Sequence, residues 1–467
     1  MTPLRPFCSA VVMLLLSGCA SYGVVENAPG PGFVGEQSYS VKTFMEGWRT
    51  SENALMLAFS GGGTRAAALS YGVLQELRDT PVFTEEGTIR LLDEVHTISS
   101  VSGGSFTSAY YGLHGDEIFD DYEEVFLRKN VEGSLIRRVL NPLSWFSTAS
   151  RTETAVSYYD KHIFNGATYA DIQKQGGPLI LINASDLANG VRFSFVQEYF
   201  SLLCSDLSSF PVSRAVTASS AVPVLFKPVV AENHSDCGKE IPDWLKLAQT
   251  RAAGDIELGM LVHGVEKYFE RDKYRYAHFV DGGITDNLGL RAIYDITQAS
   301  GGGAMFMEKY QRQPPRRIVM IVVDASTEAD NDMYTSNKTP SMKQTIGAMT
   351  DMQLHRYNAA TLELLNGTIN RLSQQLSTPE APVTPYFILL NFGDIQDPKR
   401  LEYFNRIPTS FHLEDEQVDR LIEFGGELLR NNPEFRRLLS DLQADRPQIN
   451  KQAPTRPAVP TAAGQPL

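Results

Sequence analysis

Two serine and glycine turns near the start of the chain combine residue types that could carry out acyl transfer. The first turn is Ser-Gly-Gly-Gly-Thr-Arg at residues 60–65, and the second is Ser-Val-Ser-Gly-Gly-Ser at residues 100–105. Consecutive glycines before a helix let backbone N–H groups point at an anion, and the helix dipole adds to the attraction. Ser102 is a candidate nucleophile because a tight strand-to-helix turn exposes the hydroxyl of its central serine. The two turns predict an oxyanion site beside this serine.

A carboxylate that could activate the serine follows a third apolar segment. The stretch Phe-Val-Asp-Gly-Gly-Ile at residues 279–284 places Asp281 at the end of a short apolar run, before Gly282 and Gly283. Serine is a weak nucleophile, so it needs a base within hydrogen-bond reach and donors for the developing oxyanion. A carboxylate can be that base in a dry site, because burial raises its pKa. The sequence predicts that Asp281 takes the Ser102 proton, and that an acyl-enzyme forms and is then hydrolysed.

Apolar runs around these turns predict an α/β protein with its site at the strand ends. Residues 54–59 and 95–98 are typical of buried strands, and helix-like stretches follow both turns at 66–77 and 106–113. Further strands and closing helices are predicted later in the chain, at 318–323, 386–390, 415–429 and 434–442. We therefore expect a mostly parallel central sheet with helices on both faces.

The motifs resemble those of the patatin-like phospholipases and occur in that family's order. The residues that carry the resemblance are the oxyanion glycines Gly61, Gly62 and Gly63 with Arg65, the nucleophile Ser102 with Gly103 and Gly104, Asp281 with Gly282 and Gly283, and the segment 218–228. The turn around Ser102 departs in one place from the nucleophile-elbow pattern Gly-x-Ser-x-Gly, because Ser100 stands at the position of the first glycine. The resemblance implies a three-layer α/β sandwich like that of cytosolic phospholipase A2, with a serine–aspartate dyad that needs no histidine. It implies no cofactor or metal, and Arg65 either steadies the loop or attracts a lipid phosphate.

Histidines and other carboxylates leave alternatives to the dyad. His355 and His412 follow the serine and the aspartate in the order of a hydrolase triad. We favour the dyad, because His355 lies on a predicted polar helix face and His412 lies in a polar connection. Asp324, which no glycine pair follows, and Asp186 also lie near strand ends, and we interpret both as structural.

The first glycine run also allows a nucleotide-binding interpretation. Gly61, Gly63 and Ala66 fit a dinucleotide fingerprint, with Glu85 or Glu86 about twenty residues further on. These acids lie in a polar turn instead of a strand end, and no Gly-Lys-Ser/Thr follows for a P-loop. The interpretation also leaves the serine and the aspartate unexplained.

The amino terminus resembles a bacterial lipoprotein signal. Arg5 precedes an apolar stretch at residues 10–16, which is too short to span a membrane and is typical of a secretory signal. Leu-Ser-Gly-Cys at residues 16–19 resembles the lipobox, so we expect cleavage before Cys19 and acyl chains on that cysteine. The residue after this cysteine is Ala20 and not an aspartate, and by resemblance to known sorting signals this favours the outer membrane. We expect an anchored lipoprotein of the cell envelope, on the outer membrane and facing the periplasm.

Composition and charge are typical of an ordinary folded protein. The chain is 42% hydrophobic and 21% charged, and its net charge of −13 argues against a nucleic-acid partner. We divide it into a signal peptide at 1–18, a lipidated tether at 19–50 and a catalytic core at 51–290. Residues 291–443 are an extension of the same domain, and 444–467 form a disordered proline-rich tail.

Two further features accompany the lipoprotein interpretation. Cys204 and Cys237 remain after signal removal and lipidation, and an even pair in an oxidising compartment is a disulfide candidate, with two unlinked thiols as the alternative. Residues 135–146 mix apolar side chains, arginine and tryptophan, so they could be an interfacial lid or a buried helix.

The predicted function is that of a membrane-anchored lipid acyl hydrolase, which could be a phospholipase A, a lysophospholipase or an esterase. Its substrate would be a phospholipid or another acyl ester. The alternatives are a catalytically inactive lipid-binding lipoprotein and, less favoured, a nucleotide-binding α/β protein.

Overall fold

The computed structural model describes residues 23–444 apart from residues 36, 48–51, 85–86, 132, 134–150, 224, 236, 239 and 329–336. The expected signal peptide, Cys19, the segment at 135–146 and nearly all of the expected tail lie outside the described residues, as do Glu85 and Glu86. Within the described ranges, no helix is both long and apolar enough to cross a membrane.

An eight-stranded sheet forms the centre of the molecule. The described strands are β1 (Ala28–Pro29), β2 (Asn53–Phe59), β3 (Pro81–Thr84), β4 (Gly87–Arg90), β5 (Val95–Val101), β6 (Leu179–Asp186), β7 (Val191–Ser194), β8 (Ser205–Asp206), β9 (Val229–Glu232), β10 (Tyr276–Val280), β11 (Arg317–Val323) and β12 (Thr384–Leu390). The sheet has the order β12-β11-β2-β5-β6-β10-β9, with β7 beside β6. Strands β12, β11, β2, β5 and β6 are parallel, and β10, β9 and β7 join antiparallel.

Helices cover both faces of this sheet. The described α-helices are α1 (Val41–Gly47), α2 (Thr64–Asp79), α3 (Gly103–His114), α4 (Ile118–Tyr122), α5 (Arg151–Tyr159), α6 (Tyr169–Gln175), α7 (Gln197–Leu202), α8 (Val212–Ser219), α9 (Asp243–Arg251), α10 (Ile256–Glu266), α11 (Gly283–Asp286), α12 (Arg291–Ala299), α13 (Gly303–Lys309), α14 (Met342–Leu376), α15 (Pro398–Asn405), α16 (Asp415–Asn431) and α17 (Pro433–Ala444). Short 3-10 or π-helical turns occupy Leu91–Glu94, Gly115–Glu117, Glu123–Leu127, Asp160–Phe164, Ala252–Gly254, Lys267–Phe269 and Phe392–Asp394.

The two faces of the sheet bury separate apolar layers, because side chains alternate along a strand. Leu55 and Leu57 of β2 pack with α2, α3 and α16 on one face, whereas Ala58 packs with α12 and α14 on the other. Helix α16 approaches α2 closely, since a Cβ at Gly425 would collide with the Leu69 carbonyl oxygen. The expected three-layer α/β sandwich with a mostly parallel sheet is confirmed.

The segment after residue 290 completes this same sheet. Strands β11 and β12 extend it beyond β2, and all seven residues of β11 are buried, as the apolar run at 318–323 predicts. Cys204 and Cys237 form a disulfide with their Cα atoms 5.4 Å apart. This bridge encloses helix α8 and the chain up to β9, so it restrains the segment at 218–228.

Helix α14 is 35 residues long and runs antiparallel to β11. Ser373 near its end donates to the Val383 carbonyl, just before β12 begins. Asn358 contacts Ser326, three residues after β11 ends. The first sixteen or so residues of α14, at 1.5 Å per residue, therefore extend past the edge of the sheet at which the parallel strands end.

Candidate active site

The predicted nucleophile lies on a strained turn between β5 and α3. Ser102 has φ 50° and ψ −118°, a conformation that side-chain-bearing residues rarely adopt, and it is 5% exposed. The turn needs the two following glycines, because a Cβ at Gly103 would collide with the Gly63 carbonyl and one at Gly104 would lie 2.7 Å from Phe59 Cβ. This is the geometry of a nucleophile elbow.

The hydrogen bonds of Ser100 explain how the turn accepts a serine at the position where the elbow pattern has its first glycine. Its Oγ lies 2.6 Å from the Ser108 Oγ of helix α3, and it also donates to the Leu181 carbonyl at 3.3 Å. A small hydroxyl therefore fits where glycine is usual, because its partners lie inside the core, one on helix α3 and one on strand β6.

Asp281 pairs directly with the nucleophile. Ser102 Oγ donates to Asp281 Oδ2 at 2.9 Å, and the Gly283 N–H donates to Asp281 Oδ1 at 2.8 Å. Burial raises the pKa of Asp281 to about 6, although the hydrogen bonds from Gly283 and Ser102 act in the opposite direction. Gly282 is required between them, since a Cβ there would collide with the Asn183 carbonyl. The carboxylate is ionised at neutral pH and is a stronger base than an exposed aspartate.

The segment at 218–228 holds both members of this pair. Ser219 Oγ accepts the Ser102 N–H at 2.9 Å and donates to the Asn183 carbonyl at 2.6 Å. The backbone N–H of Asp281 donates to the Ala221 carbonyl at 3.0 Å. The sequence marks this segment only as a family motif, and its role in positioning the dyad is visible only in the folded chain.

The glycine loop after β2 lies against the turn that carries Ser102, where Gly103 approaches the Gly63 backbone. Among the described residues, the N–H groups of Gly62 and Gly63 have no hydrogen-bond partner, whereas the Gly61 N–H donates to the Asn287 carbonyl at 2.9 Å. Gly61 therefore departs from the expectation of a third oxyanion donor, because its N–H is already satisfied. Gly62 and Gly63 have φ values of 141° and 62°, which only glycine adopts readily.

Arg65 braces this loop from inside the protein. Its guanidinium donates to the carbonyl oxygens of Ala325 at 2.9 Å and Ile407 at 2.5 Å, and to Thr409 Oγ1 at 2.9 Å. The residue is 4% exposed, and burial lowers its pKa to about 10. Of the two roles expected for Arg65, these contacts favour steadying the loop over attracting a lipid phosphate.

The rival groups have other partners. Asp186 accepts hydrogen bonds from Tyr268 Oη at 2.6 Å and Asn189 Nδ2 at 2.9 Å, which is a structural arrangement. Asp324 Oδ1 accepts the Ser326 N–H at 2.9 Å, and burial raises the pKa of Asp324 while its hydrogen bonds with Ser326 act against that rise. The hydrogen bonds of Ser102 and Asp281 within the described chain include neither His355 nor His412, so the triad is not assembled.

Comparison with known proteins agrees with this geometry. A family model for patatin-like phospholipases matches residues 57–294, which is half of the chain. The chain belongs to the patatin-like phospholipase family.

The solved structures that match this chain include human GIVD cytosolic phospholipase A2, at 13% identity and a TM-score of 0.41. The match covers 91% of this chain and 66% of that enzyme, so this chain spans about two thirds of the human protein's length. VipD from Legionella pneumophila is 11% identical with a TM-score of 0.26, over 92% of this chain and 73% of VipD. No curated protein matches the sequence.

Proposed function

We propose that the chain is a serine carboxylic-ester hydrolase that acts on acyl esters of phospholipids or related lipids. The observation that supports this best is the 2.9 Å hydrogen bond from Ser102 Oγ to Asp281, on a turn packed against the glycine loop that carries the unengaged N–H groups of Gly62 and Gly63. A nucleophile, its base and two oxyanion donors are the parts that acyl transfer needs.

The proposed cycle has two halves. Ser102 Oγ attacks the ester carbonyl while its proton moves to Asp281, and the oxyanion is stabilised by Gly62 and Gly63. The tetrahedral intermediate then releases the alcohol, which takes the proton from Asp281, and the acyl-enzyme remains. Water attacks this ester with Asp281 as base, and the fatty acid leaves as Ser102 recovers its proton.

Labelling with a fluorophosphonate tests the nucleophile. The reagent should modify the wild-type protein and leave Ser102→Ala unmodified, whereas Ser157→Ala, at an exposed helix position, serves as a matched control that still reacts. A folded wild-type protein that binds phospholipid but is never labelled would support the inactive lipid-binding alternative. Protection by nucleotides without an acyl-enzyme would favour the nucleotide-binding one.

Product analysis defines the reaction. Mass spectrometry of products from phospholipids with two different acyl chains separates phospholipase A1 from A2 activity, and lysophospholipids and simple esters complete the panel. The expected result is release of a fatty acid, because the proposed chemistry cleaves a carboxylic ester and leaves phosphate esters intact.

We also propose that Cys19 carries the membrane anchor, on the outer membrane and facing the periplasm. The support is the lipobox-like sequence at residues 16–19 after a short apolar stretch. Labelled palmitate should enter the wild-type protein, and Cys19→Ser should abolish incorporation. A chain of net charge −13 has little general attraction for anionic lipid, so the variant should leave washed membranes or retain its signal. A processed Cys19→Ser protein that remains wholly membrane-bound would contradict the proposal.

A further inference from the structure

An apolar cavity lies between the sheet and helix α14, at the strand ends opposite Ser102. It has a volume of about 120 Å³ and is lined by Ala54 and Met56 of β2, Thr97 of β5, and Leu365 of α14, among other mostly aliphatic side chains. Thr97 precedes Ser102 by five residues, which is about 16 Å along a strand. The cavity is therefore separate from the proposed catalytic centre.

A second cavity, whose lining mixes charged, aromatic and aliphatic side chains, adjoins the first. Its volume is about 350 Å³, and it is lined by carboxylates, lysines and aromatic rings that include Glu198, Lys309 and Trp244. Val41 and Ile296 line both cavities, so the two spaces are neighbours with these side chains between them. An aliphatic space thus lies beside a space that charged side chains help to line.

The pairing of the two spaces indicates the class of ligand. Protein interiors are packed as densely as organic crystals, so an unfilled space with aliphatic walls favours apolar molecules. A space lined by carboxylates, lysines and aromatic rings suits a solvated polar group. A molecule that fills both spaces needs a narrow apolar chain joined to a polar head.

We propose that the adjoining cavities bind one single-chain amphiphile, with its acyl chain between the sheet and α14 and its head group beside Glu198 and Lys309. The fatty acid and the lysophospholipid that the proposed activity would release from a diacyl lipid both belong to this class. That connection to turnover rests on the proposed function, whereas the binding itself does not. The site would let the protein hold a product at a distance from the nucleophile.

The test uses the full chain with Ser102→Ala, so that no turnover occurs during titration. Decanoate and decanoyl-lysophosphocholine are titrated separately and followed by calorimetry and native mass spectrometry. Ala54→Leu, added to this background, fills the apolar cavity from the sheet side, and Thr368→Leu fills it from the α14 side. Ala360→Leu, at an exposed position of α14, is the matched control.

We expect each filling substitution to weaken binding of the amphiphile by about tenfold or more, and to remove one bound molecule that the control retains. Thermal melting identifies a variant that fails to fold. If one filling variant fails, the effect of filling the cavity on binding is measured with the other. Binding of decanoate alone assigns the site to fatty acids, and binding of the lysolipid alone assigns it to lysophospholipids. Failure of both ligands to bind, or equal binding in the folded filling variants and the control, overturns the proposal. Fluorophosphonate labelling of the wild-type protein reports separately on the proposed activity.

Discussion

Two buried carboxylates five residues apart have similar acidities and different surroundings. Burial raises the pKa of both Asp281 and Asp286 to about 6. Asp281 accepts from the Ser102 hydroxyl and one backbone N–H. Among the described residues, Asp286 accepts hydrogen bonds from backbone N–H groups alone, those of Leu290 at 3.2 Å and Arg291 at 2.8 Å among others, and its charge is offset by nearby arginines. A raised pKa alone therefore does not identify a catalytic base.

The difference lies in what can change at each carboxylate. A hydroxyl can turn and can lose its proton, so the contact of Asp281 with Ser102 permits proton transfer. A backbone N–H only donates, so the contacts of Asp286 order the chain before α12 and have no proton to exchange. The comparison predicts that the same substitution mainly lowers activity at Asp281 and mainly lowers stability at Asp286.

The largest expected effect is the loss of hydrolysis on changing the dyad. Ser102→Ala and Asp281→Asn should each lower kcat/KM by about 10³-fold or more, because removing one member of a catalytic pair disables the unit. Asp286→Asn should keep its activity per folded molecule within several-fold. Steady-state hydrolysis, normalised by the folded fraction from circular dichroism, measures both. If Asp286→Asn were as inactive as Asp281→Asn, the distinction between a catalytic Asp281 and a structural Asp286 would be wrong.

The oxyanion loop gives the next effect. Gly62→Val should displace the N–H donors, since glycine-only backbone geometry and a Cβ position 3.2 Å from Ala66 Cβ both oppose a side chain. Loss of one strong donor costs about 10²- to 10³-fold in kcat. Gly177→Val, at an exposed glycine without positive φ or close neighbours, should be near normal. Turnover that is unchanged in folded Gly62→Val would remove this role.

The pH dependence of hydrolysis should report the acidity of Asp281. Only the ionised carboxylate accepts the serine proton, so kcat/KM should rise with pH through about 6 and then level off. Below that value, activity should fall about tenfold per pH unit. His355→Ala and His412→Ala should keep this profile. A profile that either histidine substitution abolishes would replace the dyad by a triad.

The smallest effect concerns stability. The folded pKa of Asp281, about 6, exceeds its ordinary 3.8, so the folded state binds more protons between these values and stability falls as pH rises through them. Above pH 6, ionisation of the buried Asp281 carboxylate lowers the free energy of unfolding of the wild-type protein by at most about 3 kcal/mol. Asp281→Asn has no charge to bury, and its amide keeps a hydrogen bond because the serine hydroxyl can turn to accept from it.

The matched substitution Asp286→Asn should be less stable than Asp281→Asn above pH 6. An amide NH₂ there would face a backbone N–H that cannot turn, and an unsatisfied buried donor costs about 1–3 kcal/mol. Denaturant unfolding between pH 4 and 8 measures both variants. Equal unfolding free energies for the two variants at pH 8 would contradict the distinction between a hydroxyl partner that can rotate at position 281 and fixed backbone N–H partners at position 286.

Local requirements of the backbone allowed much of this protein to be predicted from its sequence. The apolar runs at β2, β5, β11 and β12 predict strands, and glycines after Ser102 and Asp281 mark the turns that need them. Of helix α14 only a polar helix face around His355 was predicted, and its full length was not, because the described side chains of its first half are mostly exposed and its apolar contacts begin only around Leu365.

Only the tertiary structure decided which of these groups act together. Arg65 bonds carbonyl oxygens 260 and 342 residues away, and the Gly61 N–H is engaged by Asn287, so neither role follows from neighbouring residues. The acidity of Asp281 likewise depends on burial by distant elements. Residue type and spacing determine the local turns, since backbone sterics act over a few residues. Hydrogen-bond partners and burial arise from packing across the whole chain, so only the folded structure reveals them.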